Sequence, residues 1–188
     1  MMMSTITAAF LMAVAIPRHH APVAEPVYEG SAYSYSFRSL IGQRPVPLTA
    51  FAGQVLLVVN TPSRCEALRG LLDMERVRRE YGPQGLVIVA VPSTGFKAGT
   101  VGTADSPFCH LELGYGFTVV DTEEVAGVSA HPFFGWVARA SGGAGEPKAY
   151  FFKYLIDRKG RLVRIFDEHS SFYAPKLRAA IEAALKEE

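Results

Sequence analysis

Cys65 is the residue of this chain best placed to do chemistry. It follows Val55-Leu56-Leu57-Val58-Val59, an apolar run that reads as a buried strand, across the polar turn Asn60-Thr61-Pro62-Ser63-Arg64. Beyond it Leu68, Leu71, Leu72, Met74 and Val77 keep a helical stripe. The thiol is therefore expected at or just inside a helix N-terminus, at the carboxyl end of a central strand. Unpaired amide groups and the helix dipole stabilise a thiolate there. Open α/β sheets bind ligands at such strand ends.

The neighbours of Cys65 have two readings each. Arg64 favours the thiolate if it faces the sulfur, and is otherwise a solvated loop cation. Asn60 is expected to form the turn, with its amide bonded to backbone. Cys109, 44 residues beyond Cys65, is either a redox partner or a buried thiol beside Phe108 and Leu111. Cys65 is followed by Glu66-Ala67-Leu68, so there is no C-x-x-C couple. The histidines at 19, 20, 110, 131 and 169 are scattered without metal-ligand spacing around either cysteine. No glycine-rich nucleotide loop follows a strand. The pattern calls for no metal and no cofactor.

The elements that must hold Cys65 follow from periodicity. Tyr33 to Phe37 alternates aromatic and polar, which predicts a half-buried strand. Leu68 to Tyr81 reads as a helix with Asp73, Glu75, Arg76, Arg78, Arg79 and Glu80 on its wetter face, stopped by Gly82-Pro83. Leu86 to Val91 is a second buried strand that Pro92 should end. Strand, helix and strand make a right-handed unit with a parallel pair. Residues 93–105 read as loop, a helix from about 106 to 113 carries Cys109, and Tyr115 to Val120 reads as a strand edge. Tyr150 to Ile156 and Arg161 to Phe166 form a hairpin across Asp157-Arg158-Lys159-Gly160, and Pro175 opens a terminal amphipathic helix. The class is α/β, a central mixed sheet flanked by helices.

Composition narrows the rest. With 188 residues and 49% hydrophobic content, the chain suffices for one well-buried domain, placed at 31–188. Its 19 basic and 18 acidic residues leave no electrostatic footprint for nucleic acid. Residues 1–30 read as an extension or as a signal peptide. Their apolar core from Thr5 to Ile16 is too short for a membrane span and has no Lys or Arg before it. The expected location is cytoplasmic, or periplasmic or secreted if that segment directs export.

Val58-Val59-Asn60-Thr61-Pro62-Ser63-Arg64-Cys65 resembles the V-N-V-A-S-x-C/Sec segment of glutathione peroxidases. Further matches follow in the same order: Phe51-Ala52-Gly53-Gln54 before the central strand, Tyr115-Gly116-Phe117-Thr118, His131-Pro132 where the family starts a helix, and Phe151-Phe152-Lys153-Tyr154-Leu155-Ile156-Asp157. The resemblance spans roughly residues 33–186. It implies a thioredoxin-like fold and a thiol peroxidase that reduces hydrogen peroxide or organic hydroperoxides through a Cys65 sulfenic acid, regenerated by glutathione or a thioredoxin-like reductant. It implies that Cys109 lies in the helix where thioredoxin-dependent members carry a resolving cysteine. The family's tetrad adds Gln, Trp and Asn to the cysteine. Here those places fall on Gly99, Ala149 and Tyr150. Candidate supporting groups are then Asn60, Arg64 and Tyr150, while Trp136 is expected to pack the core. The rival reading is a catalytically degenerate thioredoxin-like protein acting as redox sensor or binding module.

Overall fold

The computed structural model describes residues 28–63, 68–93, 96 and 114–187. Cys65, Arg64 and Cys109 lie outside the described residues, as do residues 1–27, the Gly99 position and the helix expected near 106–113.

A short antiparallel ribbon, β1 (Ser36–Arg38) with β2 (Pro45–Pro47), precedes the main sheet. The sheet contains β3 (Val55–Pro62), β4 (Leu86–Ser93), β5 (Thr118–Val119), β6 (Lys153–Ile156) and β7 (Leu162–Phe166). Their spatial order is β5-β4-β3-β6-β7. The ladder of β3 and β4 is parallel, from Val55 opposite Leu86 to Pro62 opposite Ser93. β6 runs antiparallel to β3 with Val59 opposite Lys153, so the sheet is mixed. The helices are α1 (Leu68–Tyr81), α2 (Pro132–Ala140) and α3 (Pro175–Lys186).

Period-two alternation divides β3 between two cores. Leu56 and Val58 face the layer of Phe133, Phe134, Trp136 and Val137 from α2. Val55, Leu57 and Val59 face Leu71, Met74 and Val77 of α1 and Leu177 and Ile181 of α3. The sheet is thus covered on both faces, which explains why its central strands are continuously apolar. Trp136 packs as expected. It stacks on Tyr35 with ring centroids 5.4 Å apart, and its indole N–H donates to the Glu29 carbonyl at 2.7 Å.

His131 opens α2 as the sequence suggested. Its Nδ1 accepts from the Phe133 N–H at 3.3 Å, so the ring proton sits on Nε2 and faces the Ser36 carbonyl at 3.1 Å. Burial keeps its pKa below the ordinary histidine value, which preserves the neutral cap. No helix among the described residues is long and apolar enough to cross a membrane.

Several expected boundaries differ. Residues 32–34 form a 3-10 turn rather than strand, because Ser31 accepts from the Tyr33 N–H and caps it. β3 continues through Asn60 to Pro62, and Pro92 does not end β4. A proline withholds only its own N–H. The Pro92 carbonyl still accepts from Glu123 N at 2.9 Å. The strand expected from Tyr150 starts at Lys153.

Glu75 is a further correction. It was expected on the wet face of α1, yet it is buried with 6% exposure. Its carboxylate accepts from Arg78 at 2.8 Å, from Arg79 at 2.9 Å and from the Gly116 N–H at 3.1 Å, tying α1 to the segment before β5. Arg78 foremost, then Arg79 and the Gly116 amide, hold the carboxyl at about 2 against the opposing effect of burial. A carboxyl whose folded pKa lies below its unfolded 4.5 stabilises the fold above that value, and the contribution is lost as pH falls toward 2. Because Arg79 is largely exposed, screening trims the effect to about 2 kcal/mol. Glu75→Gln should therefore lower the urea-unfolding free energy by about 2 kcal/mol at pH 7. The difference should shrink toward pH 3. A deficit independent of pH would show that the carboxylate charge is not the cause.

Candidate functional site

The carboxyl ends of β3 and β4 and the amino end of β6 meet at one edge of the sheet. The chain leaves β3 at Pro62 and enters α1 at Leu68, and Cys65 lies between them in sequence. The described residues thus supply the strand and the helix on either side of the connection in which the thiol is expected.

Asn60 organises this edge, in a way the sequence reading missed. It is fully buried inside β3, not in a turn. Its side chain does bond backbone, but backbone 89 to 92 residues away. Nδ2 donates to the Ala149 carbonyl at 3.0 Å, and Oδ1 accepts from the Phe152 N–H at 2.8 Å. Its main chain adds two bonds: Phe151 N donates to the Asn60 carbonyl at 2.7 Å, and Asn60 N to the Phe152 carbonyl at 3.3 Å. Four hydrogen bonds thus clamp residues 149–152 to the end of β3. With Oδ1 and Nδ2 both engaged, Asn60 positions backbone rather than presenting a donor to substrate.

The clamped segment holds the places where the family resemblance locates Trp and Asn, here Ala149 and Tyr150. The Tyr150 hydroxyl donates to the Phe96 carbonyl at 3.4 Å, and its ring meets Phe96 edge-on at 5.3 Å. Tyr150 therefore reaches across to the chain that follows β4. Ser93 closes the neighbouring strand end by donating from Oγ to the Thr61 carbonyl at 3.1 Å. The Thr61 hydroxyl, also buried, finds no hydrogen-bond partner among the described residues.

Phe151 adopts a φ of +70°. For a bulky residue this left-handed conformation costs about 1–3 kcal/mol and persists only where the surroundings enforce it. Lys153 is one enforcer. Its ammonium, 1% exposed, donates to the Phe151 carbonyl at 2.6 Å and the Asp167 carbonyl at 3.1 Å, and lies 4.7 Å from the Phe172 ring centroid. Burial brings its pKa down to about 8, while Asp167 and Glu168 oppose the shift. A lysine in the middle of Tyr150-Phe151-Phe152-Lys153-Tyr154-Leu155-Ile156 is the signal that could have exposed this role, since an all-apolar strand rarely spends a position on an unpartnered charge.

Of the candidates from sequence, the structure brings Asn60 and Tyr150 to the same edge. Arg64, Cys65 and Cys109 lie outside the described residues. Among those residues no cluster of three or more His, Cys, Asp or Glu side chains is arranged to hold a metal ion.

Residues 32–138 match the family described as glutathione peroxidase. A hydroperoxy fatty acid reductase of Synechocystis sp. is 32% identical over 142 residues, covering 70% of this chain and 83% of that protein. A glutathione peroxidase of Lactococcus lactis is 33% identical over 138 residues, covering 71% and 87%. Among solved structures, apo Trgpx superposes with a TM-score of 0.68 at 24% identity, covering 84% of this chain and 97% of that one. A thiol:disulfide interchange protein of Chlorobium tepidum superposes with a TM-score of 0.57 at 17% identity, covering 87% and 99%. The two structural likenesses establish the thioredoxin-like fold. With the sequence matches they lead to one conclusion: the chain belongs to the glutathione peroxidase family, peroxide-reducing thiol oxidoreductases built on that fold.

Proposed function

We infer that Cys65 is the peroxide-reacting nucleophile of this protein. The observation that carries the reading is the crossover itself. β3 ends at Pro62 on the sheet's carboxyl edge, α1 opens at Leu68, and Cys65 stands between them in sequence, which supports a thiolate stabilised by a helix amide end. The thiolate sulfur attacks one oxygen of the hydroperoxide. The O–O bond breaks, the departing alkoxide or hydroxide takes a proton from solvent, and sulfur is oxidised by two electrons to the sulfenic acid. Two reducing equivalents from thiols, glutathione or a thioredoxin-like dithiol, return it to the thiol and release water. Cys109 is the candidate resolving thiol in the second case.

Organic hydroperoxides are the favoured substrates. Phe96 and Tyr150 put aromatic surface at this sheet edge, and the Synechocystis relative is named for reducing hydroperoxy fatty acids. Without the family's Gln, Trp and Asn side chains, stabilisation of the leaving oxygen falls to backbone amides and neighbouring groups. One well-placed donor is worth roughly a hundredfold to a thousandfold in rate, and such losses do not simply multiply.

The test is a stopped-flow second-order rate constant for Cys65 oxidation, compared with a free thiol at matched thiolate fraction. The protein should exceed the free thiol by more than about tenfold, by more for a lipid hydroperoxide than for hydrogen peroxide, while falling short of an intact tetrad. Equality with the free thiol would mean that no catalytic pocket exists, and the sensor reading would replace this one.

A further inference from the structure

Phe151 joins three elements at one point. Its N–H donates to the Asn60 carbonyl of β3 at 2.7 Å, and its carbonyl accepts from Lys153 of β6 at 2.6 Å. Its ring points at α1. A Cβ added to Gly70 would lie 2.4 Å from the ring's Cζ and 2.8 Å from both Cε atoms, so the tip of the ring abuts the helix where no side chain intervenes. The ring also meets Phe172 edge-on at 6.1 Å. Gly70 belongs to the first turn of α1 and lies five residues after Cys65. Glycine weakens a helix relative to alanine. Its occurrence here is accounted for by the space the ring needs.

We propose that Phe151 is a positioning residue for Cys65. Its ring sets how far the first turn of α1 stands from the sheet, and Cys65 precedes that turn by three residues in sequence. The four-bond clamp of Asn60 and the Lys153 ammonium fix the Phe151 backbone, and the ring passes that fixed position to the helix. The role assigned to Phe151 is positional. It acts through the geometry of the thiol. The inference rests on Cys65 as the nucleophile.

Phe151→Gly separates the ring from the backbone, because glycine adopts the same φ without strain. Two readouts report on the thiol and not on folding. One is the Cys65 pKa from the pH dependence of its alkylation. The other is the peroxide rate constant at full ionisation, well below the melting temperature. Misplacing a reacting group by about an ångström costs up to roughly a hundredfold. Phe151→Gly should therefore lower the rate constant roughly tenfold to a hundredfold and raise the thiol pKa. Phe151→Leu should recover part of both.

Gly70→Ala places a methyl group against the ring and should also slow the reaction. Combined with Phe151→Gly it should add little, since both act through one contact. An unchanged thiol pKa and rate constant in folded Phe151→Gly would overturn the proposal, as would full additivity with Gly70→Ala. Cys65→Ser separates this failure from that of the underlying reading. If that variant still reduces peroxide, the nucleophile is elsewhere and the proposal falls with it. If it is inactive while Phe151→Gly is unaffected, only the positioning role falls.

Discussion

Cys65→Ser removes peroxide reduction, with an expected loss of about 10³-fold or more in the rate constant. Serine differs by one atom, so the fold should survive and the melting temperature should barely move. The chemistry does not survive. A serine hydroxyl is un-ionised near neutral pH, and its oxygen has no counterpart of the two-electron step from thiolate to sulfenic acid. The expected wild-type intermediate is Cys65 carrying one added oxygen, detectable by mass spectrometry after a single turnover. Cys109→Ser should leave that first oxidation intact and slow only regeneration by a thioredoxin-like dithiol, if Cys109 forms the disulfide that such a reductant opens. Regeneration by glutathione should then be untouched. Finding the first oxygen on Cys109 in the wild type would exchange the two roles and displace Cys65 as the site.

What the sequence discloses about this molecule divides by the range of the interaction. The parallel ladder of β3 with β4, the stripe of α1 and the opening of α2 at His131 are written in residues close together in the chain, and each was legible. So was the succession of β3 and α1 that brackets Cys65 in sequence, because a buried apolar run and an amphipathic helix stand close together in the chain, although β3 runs on through Pro62. Apart from the 3-10 turn at 32–34, which the local Ser31 cap imposes, the expectations with the largest consequences failed on partners far apart. Asn60 looks like a turn residue until the Ala149–Phe152 backbone is brought beside it. Glu75 looks solvated until the Gly116 amide and two arginines close over it. Pro92 looks like a strand end until Glu123 supplies the outer hydrogen bond. Local propensity is overridden in each case by a long-range polar contact that periodicity does not encode. The site shows the same division. Family resemblance finds the clamped segment by its motif, yet not the reason it stays in place after its tetrad side chains are gone.

That reason is Asn60, and its removal should be the most damaging single change to the described fold. Asn60→Ala leaves the Phe152 N–H buried without an acceptor and the Ala149 carbonyl without its donor, and opens a small void. Each uncompensated group costs about 1–3 kcal/mol, so the unfolding free energy should drop by about 2–5 kcal/mol. Peroxide reduction should fall with it, because residues 149–152 lose their anchor while Cys65 itself is untouched. Asn60→Asp makes the mechanism specific. One carboxylate oxygen still accepts from the Phe152 N–H, but the other faces the Ala149 carbonyl, where only a protonated oxygen can donate. Burial and this mismatch must raise the carboxyl's folded pKa above its ordinary value of about 3.9. The folded state then binds a proton that the unfolded state releases. The variant's deficit should be largest at pH 8 and should diminish as pH falls through the raised value. Denaturant titrations of both variants across that range read the sign directly. An alanine variant within about 0.5 kcal/mol of wild type, or an aspartate variant whose deficit grows on acidification, would mean that the clamp is not held by the Asn60 amide.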